Sequence, residues 1–364
     1  MVVERMKDGM DLTCDPAARW WDRETDADLV CLAVHDETPD IRTFTFAGAQ
    51  GQSFALEAGQ YFTFDVPLES GEGAATEPRC YSLSSSALRP RTIAVSVKRV
   101  PGGRVSNRLH EALRVGDTIR AMGPSGAFTL PRPLPEKLLL LSAGSGITPM
   151  IAMARTLADA AARTDVVFFH AARSLADFAF AADLQALARA NPRFRVIFLP
   201  EDGSGGHFGP VGRISAELLG ALVPDLAART VLCCGPAPFM AAARAIGVAA
   251  GVPQAAWLEE SFDLAPVEST VDDAPAKTGF SATFSRQNRT ITVGADQTLL
   301  SAARAQGVVL PSSCANGLCG TCKARLVSGQ VAMAHNGGIR QREIDAGFIL
   351  PCCARPLTDV VIER

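Results

Sequence analysis

Four cysteines near the C-terminus, Cys314, Cys319, Cys322 and Cys352, constrain this chain most tightly. Their spacing, C-x₄-C-x₂-C with a distant fourth thiol, is that of the ligands of a [2Fe–2S] cluster. Three thiolates close together form a chelating loop, and the late fourth closes it. Gly317 and Gly320 let the backbone bend there and aim amides at the sulfurs. Ser312, Ser313, Ala315, Thr321 and Ala324 keep bulk away. Structural zinc usually takes paired short C-x₂₋₄-C knuckles, and here the second half would be a lone Cys352 or the neighbours Cys352 and Cys353. Disulfides need an oxidising compartment, and nothing at the N-terminus directs export. A chain carrying such a cluster moves single electrons.

At 364 residues the chain should hold two or three domains. Hydrophobic residues make up 48%, enough for several cores, and the net charge of −3 gives no case for nucleic acid or a membrane surface. Met1 to Leu12 is charged throughout and does not read as a secretory signal. The longest apolar stretch, Leu138 to Ala154, is broken by Gly144, Gly146 and Pro149, so no transmembrane helix is expected. The expected setting is the cytoplasm. With four of ten cysteines assigned to iron, Cys14 and Cys31 read as small buried residues.

The pattern changes twice along the chain. Residues 26–132 alternate apolar and polar at period two, as in Asp28 to Val34, Thr43 to Phe46, Tyr61 to Val66 and Thr92 to Lys98. That predicts an antiparallel β-barrel with one short helix, Val105 to Leu113. Residues 133–262 alternate short buried runs with Ala-rich helical segments, predicting a parallel sheet wrapped by helices. The runs are Lys137 to Leu141, Val166 to Phe169, Arg195 to Leu199 and Thr230 to Cys234. Residues 263–278 contain Pro266, Pro275 and four acidic side chains and read as a tether. Residues 279–364 form a compact unit, opening with a hairpin (Phe280 to Phe284, Thr290 to Val293) and a helix (Thr298 to Gln306). The first 25 residues, including Trp20 and Trp21, read as an extension without a clear place.

Arg79-Cys80-Tyr81-Ser82-Leu83 in the barrel segment has the chemistry of a flavin clamp. Arg79 can neutralise pyrophosphate with its planar fork, Tyr81 can cover an aromatic ring, and the Ser82 hydroxyl can reach the ring's polar edge. Gly102-Gly103-Arg104-Val105-Ser106 leads into the predicted helix, and a glycine turn at a helix N-terminus is an anion site. In the next segment Gly144 and Gly146 lie between strand and helix, where a dinucleotide phosphate docks against backbone amides. Pro149 suits the first helical turn. The run is Gly-x-Gly-x-x-Pro, not the Gly-x-Gly-x-x-Gly of a Rossmann loop. Cys234-Gly235-Pro236-Ala237-Pro238-Phe239-Met240 follows another strand toward the same sheet edge.

Together these residues resemble the ferredoxin–NADP reductase superfamily. Its flavin motif Arg-x-Tyr-Ser falls on Arg79, Tyr81 and Ser82, and its Gly-x-x-Ser motif on Gly103 and Ser106. The nucleotide-domain marks fall on Ala143 to Pro149, Cys234 to Met240 and Glu260-Ser261-Phe262. The resemblance runs from residue 26 to the end and implies a multidomain β plus α/β protein. It would join a flavin-binding antiparallel β-barrel, a parallel-sheet NAD(P)-binding domain and a C-terminal β-grasp ferredoxin domain. It implies a cofactor-binding set of Arg79, Tyr81, Ser82, Leu83, Val97, Lys98, Gly103, Val105, Ser106, Thr148 and Phe262 for flavin. For nucleotide it implies Gly144, Gly146, Pro149, Arg173, Ser174, Gly235, Pro236, Phe239 and Met240. Thr148, Cys234 and Glu260 would border the reacting rings. Leu-x-Cys presentation, as in ferredoxins, favours Cys352 over Cys353 as fourth ligand.

The loop from Val97 to Ser106 resembles that of the FAD group, so FAD is expected over FMN. His170-Ala171-Ala172-Arg173-Ser174 follows the second buried strand, where the adenosine ribose should lie. An arginine there could serve a 2′-phosphate, but similar strings occur in NADH-using reductases, and NADH is expected, with NADPH the alternative. The bland reading of His170 itself is a satisfied strand-end residue. Hydride brings two electrons and a cluster takes one, so a flavin must mediate. A plant-type cluster sits at about −400 mV. The five histidines form no 2-His-1-carboxylate group, so the final chemistry belongs to another protein. Val97 to Gly103, Trp20-Trp21 and Glu37-Thr38 to Phe44 look most like reductases of Rieske oxygenases that demethylate quaternary amines such as glycine betaine. Reductases of the hybrid-cluster protein or of diiron oxygenases share the domain order, and a redox-sensing carrier without an oxygenase is the reading from another class. Lys323 and Arg325 could meet an acidic partner or form a solvated face.

Overall fold

The computed structural model describes residues 19–23, 25–69, 76–262, 279–308, 310, 317, 320, 322–335 and 338–364. Cys314, Cys319, the small residues 312, 313, 315 and 321, the 263–278 tether and residues 1–18 lie outside the described residues.

The first unit comprises β1 (Ala27–Asp36), β2 (Ile41–Gly48), β3 (Tyr61–Pro67), β4 (Thr76–Ser82), β5 (Ile93–Lys98), α1 (Arg104–Ala112) and β6 (Thr118–Ser125). Its six strands pair in the order β4-β3-β6-β1-β2-β5, and each pairing is antiparallel. An antiparallel bridge from Leu83 to Val95 joins the two outer strands and closes the barrel. Period-two alternation turns Phe44, Phe46, Phe62 and Phe64 inward, where neighbouring rings lie 5.5–6.5 Å apart. Trp21 belongs to this core: it packs 5.3 Å from Phe54, and its indole N–H donates to the Gly123 carbonyl at 2.9 Å. Trp20 bridges to Ser53, so the pair lies against the barrel wall rather than apart from it.

The second unit runs β7 (Lys137–Ala143), α2 (Ile147–Asp159), β8 (Asp165–Ser174), α3 (Ala181–Ala190), β9 (Phe194–Asp202), α4 (Ala216–Leu222), β10 (Thr230–Cys234), α5 (Ala237–Ala249) and β11 (Trp257–Glu260). Its sheet is wholly parallel, in the order β11-β10-β7-β8-β9. Leu138 and Leu140 face a core shared with α2, while Leu139 and Leu141 face the one shared with α4 and α5. Burial on both faces explains why β7 reads as an unbroken apolar run.

The third unit runs β12 (Gly279–Phe284), β13 (Arg289–Gly294), α6 (Leu299–Ala305), β14 (Ala324–Ser328), β15 (Val331–Met333), α7 (Gln341–Asp345), β16 (Phe348–Ile349), β17 (Ala354–Pro356) and β18 (Val360–Glu363). Its main sheet, β13-β12-β18-β14-β16, sets β12 parallel to β18 with α6 packed across it, a β-grasp. No helix among the described residues is long and apolar enough to cross a membrane.

Candidate functional site

Strand β4 sets the flavin motif. Its register against β3 pairs Phe64 with Arg79, Thr63 with Cys80 and Phe62 with Tyr81. The Tyr81 ring stands 6.0 Å from that of Phe64, and burial holds its hydroxyl well above the usual phenol range. Arg79 donates to the Pro78 carbonyl at 2.8 Å and pairs with Glu77. The other oxygen of Glu77 is buried without a hydrogen bond and lies 3.9 Å from Arg104, the first residue of α1. Glu77, which the sequence reading did not single out, thus draws the Arg-x-Tyr-Ser strand and the Gly102-Gly103 turn together. Gly102 has φ +70, and Gly103 caps α1 without a side-chain hydrogen bond. The first-turn amides therefore lack a protein side-chain cap, as an anion-binding helix start requires. Ser106 is buried and its hydroxyl accepts from the Val100 amide at 3.1 Å. Ser82, Leu83, Val97 and Val105 are buried around this strand and helix.

The nucleotide marks converge on the carboxyl edge of the parallel sheet. Gly144 (φ +53) and Gly146 carry β7 into α2, where Thr148 and Pro149 are buried in the first turn. The Thr148 hydroxyl donates to the Ser145 carbonyl at 3.1 Å. Cys234 ends β10, is fully buried, and pairs in register with Glu260 of β11. Its neighbour Cys233 faces the opposite core, where burial pushes its thiol up to about 12. Gly235 is pressed between Ala143 and Phe239, Pro236 starts α5, and Met240 sits in the core. Glu260 has one carboxyl oxygen buried without a hydrogen-bond partner, and that burial raises its pKa to about 8. Phe262, 42% exposed, follows it. Thr148, Cys234, Gly235 and Glu260 therefore lie along one edge, as parallel sheets place their ligands.

Arg173, next to the end of β8, is exposed and paired with Asp177 at 2.8 Å and with Asp40 of the barrel at 2.9 Å. Asp40 also holds Lys98 at 3.0 Å. Ser174 caps the next turn through Asp177. His170 is fully buried; one ring nitrogen meets the Ser142 hydroxyl at 2.9 Å, the other has no hydrogen-bond partner, and burial lowers its pKa to about 3. It is a neutral core residue inside β8, neither at the strand end nor fully hydrogen-bonded as the satisfied strand-end reading expected.

In the third unit Cys322 and Cys352 are buried in one core. The Gly317 amide donates to the Cys352 sulfur at 3.2 Å, and Gly317 and Gly320 both take positive φ, 78° and 71°. Cys353 instead turns its thiol to the Leu350 carbonyl at 3.6 Å. A thiol already facing a backbone amide, next to loop glycines, fits a cluster ligand whose charge must be stabilised. Lys323 is paired with Glu343 at 2.5 Å, so of the two cations after the loop it is engaged within its own unit.

A closed barrel with a flavin strand, a parallel sheet with a glycine-lined carboxyl edge and a β-grasp thiol loop define a nucleotide-linked flavin and iron–sulfur oxidoreductase. Family models match accordingly: the oxidoreductase FAD-binding domain over residues 30–130, the oxidoreductase NAD-binding domain over 140–245 and the 2Fe-2S iron-sulfur cluster binding domain over 282–357. The chain is 36% identical to the glycine betaine monooxygenase reductase subunit of Chromohalobacter salexigens, covering 92% of this chain and 94% of that protein. It is 34% identical to the stachydrine N-demethylase reductase subunit of Rhizobium meliloti, covering 94% and 97%. Among solved structures, phthalate dioxygenase reductase aligns with TM-score 0.58 at 25% identity, over 93% of this chain and 98% of that one. The chain belongs to the family of FAD-, NAD- and [2Fe–2S]-binding reductases that these oxygenase reductase subunits represent.

Proposed function

We propose that this protein is the reductase of a two-component oxygenase, taking electrons from NADH and delivering them singly to a Rieske-type monooxygenase that demethylates a quaternary amine. The observation that carries the reading is similarity over more than nine-tenths of the chain to reductase subunits of a glycine betaine monooxygenase and a stachydrine N-demethylase, with Gly317 already donating to Cys352 in the cluster module. The modules are taken as 26–132, 133–262 and 279–364, with Trp20 and Trp21 leading into the first. Thiolate ligands suit the reducing cytoplasm.

Arg79 and the uncapped start of α1 would hold the flavin pyrophosphate, while Tyr81 covers a ring face and Ser82 meets its polar edge. Held there, FAD would supply the exchange between a two-electron hydride donor and a one-electron acceptor. Gly144 and Gly146 leave backbone amides open to the nicotinamide dinucleotide's phosphates, and Gly235 and Pro236 wall the other side. Thr148, Cys234, Glu260 and Phe262 border the ring contact and exclude water. Glu260, with a pKa near 8, is a neutral carboxyl at pH 7 and can donate a hydrogen bond without placing a negative charge there. Arg173 already has two carboxylate partners, which supports NADH over its 2′-phosphorylated form. Cys314, Cys319, Cys322 and Cys352 would hold the cluster.

The test is a split assay on Cys319→Ser. NADH-dependent ferricyanide reduction should survive and cytochrome c reduction should collapse. Equal loss of both would refute the modular chain, and failure of the parent holoprotein to drive a quaternary-amine oxygenase would refute the partner assignment.

A further inference from the structure

Among the described residues, a buried cation of the third unit reaches the barrel. Arg340, the residue that caps α7, is 5% exposed in its side chain. Its guanidinium pairs with Asp26, just before β1, and its Nε donates to the Met122 sulfur of β6 at 2.7 Å. Both partners belong to the barrel. A cavity of about 110 Å³ lies at this junction, between Asp65 and Pro78 on one side and Gly320 and Lys323 on the other.

The two ends of this contact are tied to the two redox sites. On the third unit, the Gly338 amide donates to the Gly317 carbonyl at 2.9 Å, and Gly317 in turn donates to Cys352. Gly320 backs onto Gly338 so closely that a β-carbon there would lie 2.7 Å from the Gly338 carbonyl oxygen. The segment 338–340 is thus a short strut from the thiol loop to Arg340. The Arg340 amide is itself fixed by Glu343 at 2.9 Å, and Glu343 by Lys323. On the barrel, Met122 pairs in register with Thr63, and Thr63 with Cys80, which lies between Arg79 and Tyr81.

We infer that Arg340 is the docking pin that seats the cluster module on the flavin barrel, with Asp26 and Met122 as its socket. It is a positioning residue: it sets how often the module is seated, not what either redox site does. The inference rests on the electron-transfer reading above. A buried guanidinium loses far more than a solvated one when its carboxylate is removed, because the charge is left unpaired. The pin therefore makes seating strong but breakable by a single change, as a module that must also face a separate protein requires. Electron balance is untouched: each NADH oxidised gives two electrons, and each ferricyanide or cytochrome c consumes one.

The experiment uses the holoprotein with both cofactors. Arg340→Ala should keep NADH–ferricyanide turnover and the cluster's visible and paramagnetic spectra, lower cytochrome c turnover by at least about tenfold, and enlarge the radius of gyration in small-angle scattering. Asp26→Asn, which leaves the buried guanidinium without its carboxylate, should do the same at least as strongly, and Arg340→Asp combined with Asp26→Arg should restore compactness where each single reversal does not. A compact Arg340→Ala with parental cytochrome c turnover overturns the inference, as does failure of the double reversal to outperform both singles. The scattering arm decides the docking even where the parent's turnover contradicts the electron-transfer reading, so the two failures are distinguishable.

Discussion

The backbone of Gly146 packs directly on the end of β10: a β-carbon at residue 146 would stand 2.1 Å from the carbonyl oxygen of Cys234. No flexible side chain stands between the two, so nothing can yield. Gly146→Ala must push the β7–α2 turn away from Cys234 and its pair Glu260. A displacement of about 1 Å at a reacting edge costs on the order of a hundredfold. We expect that loss in kcat/KM for NADH, with flavin content unchanged; a variant that keeps parental NADH kinetics would contradict the assignment of this edge.

Glu260 predicts a pH signature in stability. Its folded-state pKa is raised from the ordinary 4.5 to about 8 by burial. Between those values the native state binds a proton the unfolded chain does not, so stability falls as pH rises, with a slope approaching about 1.4 kcal/mol per pH unit. Below pH 4.5 the contribution is complete, and above 8 it is lost. Denaturation of the parent and of Glu260→Gln from pH 5 to 9 should show the difference between them narrowing or reversing in that window. Parallel curves would mean the carboxyl is ionised throughout.

The neighbours Cys352 and Cys353 should part company. Cys352 receives the Gly317 amide, whereas Cys353 faces the Leu350 carbonyl, an acceptor that disfavours a thiolate. Cys353→Ser is expected to retain acid-labile sulfide and cytochrome c turnover. Cys352→Ser is expected to lose both. The reverse pattern would reassign the fourth ligand.

Arg173 offers a specificity test. Asp177→Asn removes one of its two carboxylate partners and leaves Asp40 at 2.9 Å, so part of the charge is released toward a 2′-phosphate. Exposed pairs are worth about 0.2–1 kcal/mol, so the NADPH-to-NADH ratio of kcat/KM should rise by roughly 1.4- to fivefold. No change would place the adenosine end elsewhere.

Trp21→Ala should destabilise the barrel by about 3–5 kcal/mol, the range for truncating a buried large aromatic. Trp21 packs between Phe54 and Phe62 and donates to Gly123. Urea unfolding followed by flavin release would report it, and a loss under 1 kcal/mol would argue that the lead-in is dispensable.

Where period-two or unbroken apolar runs were long, as in β1, β3 and β7, sequence pattern reached the strand. It did not reach β6, whose run carries Arg120, Gly123 and Pro124, or β14 to β18, which are two to five residues long and too short to show a period. Trp21 was opaque because two adjacent tryptophans outside any periodic run declare no face. Motif residues announced themselves through spacing. Asp40, Glu77 and Arg340 did not, since an ion pair between residues distant in sequence leaves no local mark.

Gly317 is bonded on both sides, to a sulfur through its amide and to the docking strut through its carbonyl. A substitution there would alter electron affinity and module attachment in a single stroke. Energetic contributions at such a node do not add, so a scan of single variants around it would report one shared quantity twice.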